Sequence, residues 1–203
     1  STIAVNLASS RALYLIGADS NTVTGSLITN SAGSAAYLDT GSDYNTVSLS
    51  TMLASGTGLY SLYVNGSDSN TVTGSYLQNL NGYAGYITGS DRNAIVQSTL
   101  VTNAGGNYSA LYFLGADSNT VAGSLISNLS NSGIVFEAGS DYNTVNLSTV
   151  FAGGAGLYAL FINAADSNTV TDSYLQNPTG YAAYLNTGSD LNSIARSTLA
   201  SNT

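Results

Sequence analysis

A chain of 203 residues with a formal net charge of −8, three cations (Arg11, Arg92 and Arg196), no Cys and no His excludes disulfide frameworks, thiolate and imidazole metal sites, and nucleophiles activated by imidazole. The acidic balance disfavours nucleic acid and anionic membrane surfaces, since both need cations to displace counterions. With 43% hydrophobic and 7% charged residues the chain has enough apolar surface to fold, but no apolar run long enough for membrane insertion.

In chain order, the first stretch, STIAVNLASS, lacks the basic start and long apolar centre of a signal peptide. ALYLIG (12–17) then alternates as a short strand does, and GADSNTVTGSLI (17–28) turns and alternates again. In NTVTGSLI the valine, serine and Ile28 can share one side while Thr22 and Leu27 take the other. The same phrases return as SLYVNG (61–66) and GSDSNTVTGS (66–75), as ALYFLG (110–115) and GADSNTVAGS (115–124), and as GSDYNTVNLS (139–148). Clusters of Gly, Ser and Asn mark corners between them, and no stretch suits a helix.

Aligned on Asp-x-Asn, the chain contains eight copies: Asp19/Asn21, Asp43/Asn45, Asp68/Asn70, Asp91/Asn93, Asp117/Asn119, Asp141/Asn143, Asp166/Asn168 and Asp190/Asn192. The asparagines are 23 to 26 residues apart. Two residues after each comes Val or Ile, and three further on always Ser. A single unit cannot bury its apolar side, but stacked units can, each strand pairing with its copy ~4.8 Å along. The expected fold is all-β: a right-handed parallel β-helix of about eight coils, roughly 38 Å long. LYLIGADSNTV (13–23) matches LYFLGADSNTV (111–121), an offset of 98 residues or four coils. One domain over residues 1–203 is therefore expected to comprise two similar four-coil blocks, about 1–97 and 98–203.

The pattern N-T-V-x-x-S-x-L with G-x-x-L-Y-x-x-G-S-D resembles the right-handed parallel β-helix repeat of the pectin-lyase-like superfamily, especially repeat regions of large bacterial secreted and surface proteins. The resemblance covers nearly the whole chain. It implies the fold, and an architecture that hosts lyases, hydrolases, tail spikes and stalks alike. One departure is the ladder serine, where many relatives carry a second asparagine.

Three columns are candidates for function. Asn21, Asn45, Asn70, Asn93, Asn119, Asn143, Asn168 and Asn192 suit a structural ladder, with left-handed backbone angles and amides bonded to the copies above and below. Asp19, Asp43, Asp68, Asp91, Asp117, Asp141, Asp166 and Asp190 would stand ~5 Å apart, each pair costing about 0.8 kcal/mol even at the dielectric of water. Either each carboxylate accepts N–H groups of its own corner, or the column holds calcium, which prefers several oxygens. Tyr14, Tyr37, Tyr63, Tyr86, Tyr112 and Tyr184 share one position, with Val135 and Phe161 in the other two coils. If Leu13, Leu62, Leu111 and Leu160 point inward the rings face out as a stripe able to stack on sugars; if Ala12, Ala35, Ser61 and Ala84 share their side, the rings face in. TVT at 22–24, 71–73 and 169–171 resembles the Thr-x-Thr of β-helical antifreeze proteins, but other coils interrupt it.

The acids outside the column, Asp39, Glu137 and Asp172, fall in different coils and supply no obvious two-carboxyl pair. Arg92 and Arg196 lie near single column aspartates. The chain is therefore expected not to be an enzyme, to need no cofactor apart from a calcium option, and to be an extracellular or cell-surface rod. Such a stalk or filament unit would stack on itself head-to-tail through uncapped coil ends, as part of a longer assembly. A carbohydrate-binding β-helix using the tyrosines is the alternative. A polysaccharide-degrading fragment or an ice-binding protein ranks below both.

Overall fold

The computed structural model describes residues 1–202. They form a parallel β-solenoid of about eight coils built from three sheets of nine, eight and eight strands. The first sheet begins at Thr2–Val5 and ends at Thr198–Ser201; the second runs from Arg11–Ile16 to Tyr181–Leu185, and the third from Thr22–Thr24 to Ser193–Ala195. Among the described residues there is no helix.

Register follows the repeat without slippage. In the third sheet Val23 pairs with Val47, Val47 with Val72, Val72 with Ile95, and so on to Ile194. In the first, Ile28, Met52, Leu77, Leu100, Ile126, Val150 and Leu175 stack as one column, each 1% exposed or less. Because side chains alternate across a strand, a one-residue slip would turn this column to solvent, so burial itself fixes the register.

Each coil turns at corners made by one residue in the left-handed region. The residue just before each column asparagine takes it (Ser20, Tyr44, Ser69, Arg92, Ser118, Tyr142, Ser167, Leu191), with φ between 56° and 59°. This corrects the expectation for the asparagine, which is not itself left-handed. It is instead the bridge: Asn45 Oδ1 accepts the Asn21 backbone N–H at 2.8 Å, and Asn45 Nδ2 donates to the Ala18 carbonyl at 2.8 Å. The Oδ1 bond repeats through Asn70, Asn93, Asn119, Asn143, Asn168 and Asn192, and the Nδ2 bond to a carbonyl of the previous coil recurs at Asn93, Asn119, Asn143 and Asn192. Left-handed backbone at non-glycine residues costs of order 1 kcal/mol or more, and these inter-coil bonds offset it.

Candidate functional site

The aspartate column is tied between coils rather than within corners. Asp19 Oδ1 accepts the Asp43 N–H at 2.9 Å, Asp43 Oδ1 that of Asp68 at 2.7 Å, and the series continues to Asp190. The own-corner arrangement is thus replaced by a stack in which each carboxylate serves its neighbour's amide, in register because the coils are. Among the described residues no group of three or more acidic side chains converges to hold a metal ion. Arg92 pairs with column Asp68 at 2.9 Å, but Arg196 chelates Asp172, which lies outside the column, at 2.7 and 2.8 Å. The arginine bonds hold the Asp172 carboxyl below its usual value.

The second sheet carries the distinctive surface. Leu62, Leu111 and Leu160 are at most 1% exposed and belong to the interior cluster, with Leu13 packed against it. Alternation therefore turns Tyr14, Tyr37, Tyr63, Tyr86, Tyr112 and Tyr184 outward. A second outward set, Tyr60, Tyr83, Tyr158 and Tyr181, enters at the start of four of the same strands, and interleaves with the first at ring-centre distances of 4.7 to 5.6 Å. The sequence reading missed this set, although YxxY at 60–63, 83–86 and 181–184 signals it. Mutual cover leaves Tyr37 only 8% exposed, while Tyr14 is 43% exposed.

Burial raises the Tyr60 and Tyr83 phenols to about 12, helped by their tyrosine neighbours. An unfolded tyrosine ionises near 10, so the fold favours the neutral form. That stability is intact below pH ~10 and is lost as the pH climbs through about 12. An alkaline titration followed by tyrosinate absorbance should show a late class, from Tyr60 and Tyr83, that coincides with loss of β circular dichroism. A single early class would contradict the packed face.

Two carboxylates sit on this face, and the coils bring their surroundings into correspondence. Tyr14 Oη donates to Asp39 Oδ2 at 3.1 Å and Asn65 Nδ2 to Asp39 Oδ1 at 2.7 Å. Four coils on, Tyr112 Oη donates to Glu137 Oε2 and Asn163 Nδ2 to Glu137 Oε1. Asp39 and Glu137, which seemed scattered, occupy one position 98 residues apart. Burial pushes the Asp39 carboxyl up, but bonds from Asn65, Tyr14 and Thr40 outweigh it and leave the group below its usual value. Burial, then the bond to Glu137, raises the Tyr112 phenol. Beside Glu137 opens a cleft of about 350 Å³, walled by Tyr83 and Tyr112 on one side and Tyr158 and Phe161 on the other, with Val135 and Asn131 also lining it. The volume lies at the small end of the ~300–1,000 Å³ typical of ligand clefts. Flat apolar walls stand on either side of a carboxylate and amides, so the cleft offers both ring faces and hydrogen-bonding groups.

The family model "Right handed beta helix region" matches residues 11–160 and 54–199. No curated protein matches the sequence. Among solved structures, a mutant DFA-IIIase from Arthrobacter chlorophenolicus A6 superposes with a TM-score of 0.73 at 12% identity, over 95% of this chain and 57% of that one. The A-module of the mannuronan C-5 epimerase AlgE6 from Azotobacter vinelandii gives 0.60 at 14%, over 96% and 58%. The Dettilon tailspike protein gives 0.50 at 11%, over 93% and 55%. The chain spans a little over half the length of these structures, and at such identities the likeness shows the fold alone. The expectation that the chain is not an enzyme is corrected here. Two of these neighbours, the DFA-IIIase and the mannuronan C-5 epimerase, are enzymes, so neither the shared fold nor the missing imidazole and thiol groups sets this chain outside enzymatic chemistry.

Proposed function

The chain belongs to the right-handed β-helix family, and from that premise we propose that it is the carbohydrate-recognising β-helix of a carbohydrate-active protein, binding glycan along the tyrosine face of its second sheet. The observation that carries this reading is the cleft beside Glu137, set between two outward aromatic clusters, one ending at Tyr112 and the other beginning at Tyr158 and Phe161. Aromatic rings present apolar faces to the C–H side of a sugar, while the Glu137 carboxylate accepts hydroxyl hydrogens. The carbohydrate-active enzymes that share the fold support it. An extracellular or cell-surface setting is part of the proposal, with a tailspike among the same neighbours.

The test is calorimetric titration with maltotriose, cellotriose, inulotriose and a mannuronate trimer. At least one should bind, and Tyr158→Ala should weaken it ~10-fold, equivalent to about 1.4 kcal/mol. No binding to any of the four, or binding indifferent to Tyr158, would contradict the reading.

A second reading, a stiff spacer in a surface protein that stacks on copies of itself, draws support from the Asp and Asn bonding columns linking coil to coil. Light scattering separates the two: concentration-dependent assembly indifferent to sugar favours the spacer.

A further inference from the structure

The two Tyr–carboxylate–Asn stations, 98 residues apart, differ in what lies over them. At the first, Tyr37 fills the outward position beside Asp39, and the Arg11 guanidinium carbon sits 4.5 Å from the Tyr37 ring centre and 5.0 Å from that of Tyr14. At the second, the matching residues are Val135 and Ser109. The large side chains are gone, but the flanking Tyr112, Tyr158 and Phe161 remain. Tyr86 and Tyr112 stack at 4.9 Å, and Phe161 and Tyr184 stack at 5.9 Å, so the ring column lacks one member, at Val135. Two coil steps separate the positions of Tyr112 and Phe161, roughly 10 Å. A ring-shaped ligand between two aromatic faces needs twice the carbon contact distance, about 7–8 Å.

The charges restrict what that ring can be. Glu137 lines the cleft with both carboxylate oxygens already oriented by Tyr112 and Asn163. None of the three arginines lines it: Arg92 is paired with Asp68, Arg196 with Asp172, and Arg11 lies over Tyr14 and Tyr37. A carboxylated or sulfated sugar would meet Glu137 without a counter-cation, on a chain of net charge −8.

Resting on the glycan-binding reading above, we propose that the gap at Val135 is a subsite for one ring of a neutral glycan, which takes the place of the missing aromatic ring. The first station is the same subsite filled by the chain's own Arg11 and Tyr37. Val135→Tyr restores the residue the first station already accommodates. It should weaken binding of whichever neutral trimer binds (maltotriose, cellotriose or inulotriose) at least 10-fold with the melting temperature essentially kept. The converse variant, Arg11→Ser with Tyr37→Val, should raise the stoichiometry from one trimer per chain to two, which keeps the proposal testable if Val135→Tyr folds poorly. The mannuronate trimer should bind more weakly than the neutral one, and Glu137→Gln should narrow that difference. Glycan bound equally well by Val135→Tyr, or a preference for the mannuronate trimer, would overturn the subsite while leaving a glycan-binding face. No binding of any trimer would overturn both.

Discussion

Replacing Asn128 with alanine should destabilise the protein by roughly 2–6 kcal/mol, since two of the backbone groups it serves would stay buried, at ~1–3 kcal/mol each. Asn128 is 0% exposed. Its Nδ2 donates to the carbonyls of Ala104 and Tyr108, and its Oδ1 accepts the N–H groups of Ser130 and Asn131. One side chain thereby ties the turn of its own coil to the turn before it. Asn30, Asn79 and Asn177 do the same in every second coil. Exposed Asn103, which accepts only the Ser130 hydroxyl, provides the control, and Asn103→Ala should stay within about 0.5 kcal/mol. The check is urea unfolding together with amide exchange at Ser130 and Asn131. Equal midpoints for the two variants would show that the buried asparagines do not hold the turns. Because solenoid coils contact only their neighbours, the exchange loss should be largest in the two coils flanking residue 128.

Phe136→Ala should cost about 3–5 kcal/mol, the usual range for emptying a buried phenylalanine site. Phe136 is 0% exposed and packs on Phe113 with ring centres 4.9 Å apart. The strand Ile134–Glu137 places it between Val135 and Glu137, so the residue that fills the interior also sets the height of the cleft floor and its carboxylate. Loss of stability should therefore come with loss of glycan affinity, although Phe136 points away from the cleft. Differential scanning calorimetry and titration of the same sample check both. Unchanged affinity at a lowered melting temperature would separate the cleft from the core beneath it.

The columns were legible in the sequence because a solenoid writes each structural position once per coil. Val23 through Ile194 and the serines after them could be aligned by counting, and stacking does the rest. Corner conformation was not legible in the same way. Asp-x-Asn marks where the chain turns, but the left-handed residue is the unremarkable one between them, such as Ser20 or Arg92. Nor could sequence decide which neighbour a carboxylate serves, since own-corner and next-coil amides lie at similar reach. Glu137 was named but set aside for a different reason: it looked isolated until the 98-residue offset set it on Asp39, with Tyr112 on Tyr14 and Asn163 on Asn65. The same offset, applied to Tyr37 and Arg11, marks Val135 and Ser109 as the departures, and of these Val135 lines the cleft. Whether the rings faced in or out was not legible either: the two residues before a ring both went inside, as Ser61 and Leu62 do, a local break in alternation that lets Tyr60 and Tyr63 share the outer face.

The most direct test of the tyrosine face as a glycan surface is chemical-shift mapping of the labelled chain during titration with the neutral trimer. Shifts concentrated at Tyr112, Val135, Glu137, Tyr158 and Phe161, with the Asp19-to-Asp190 column silent, are the predicted result. Shifts confined to the aspartate column or the coil ends, or none at saturating trimer, would contradict it.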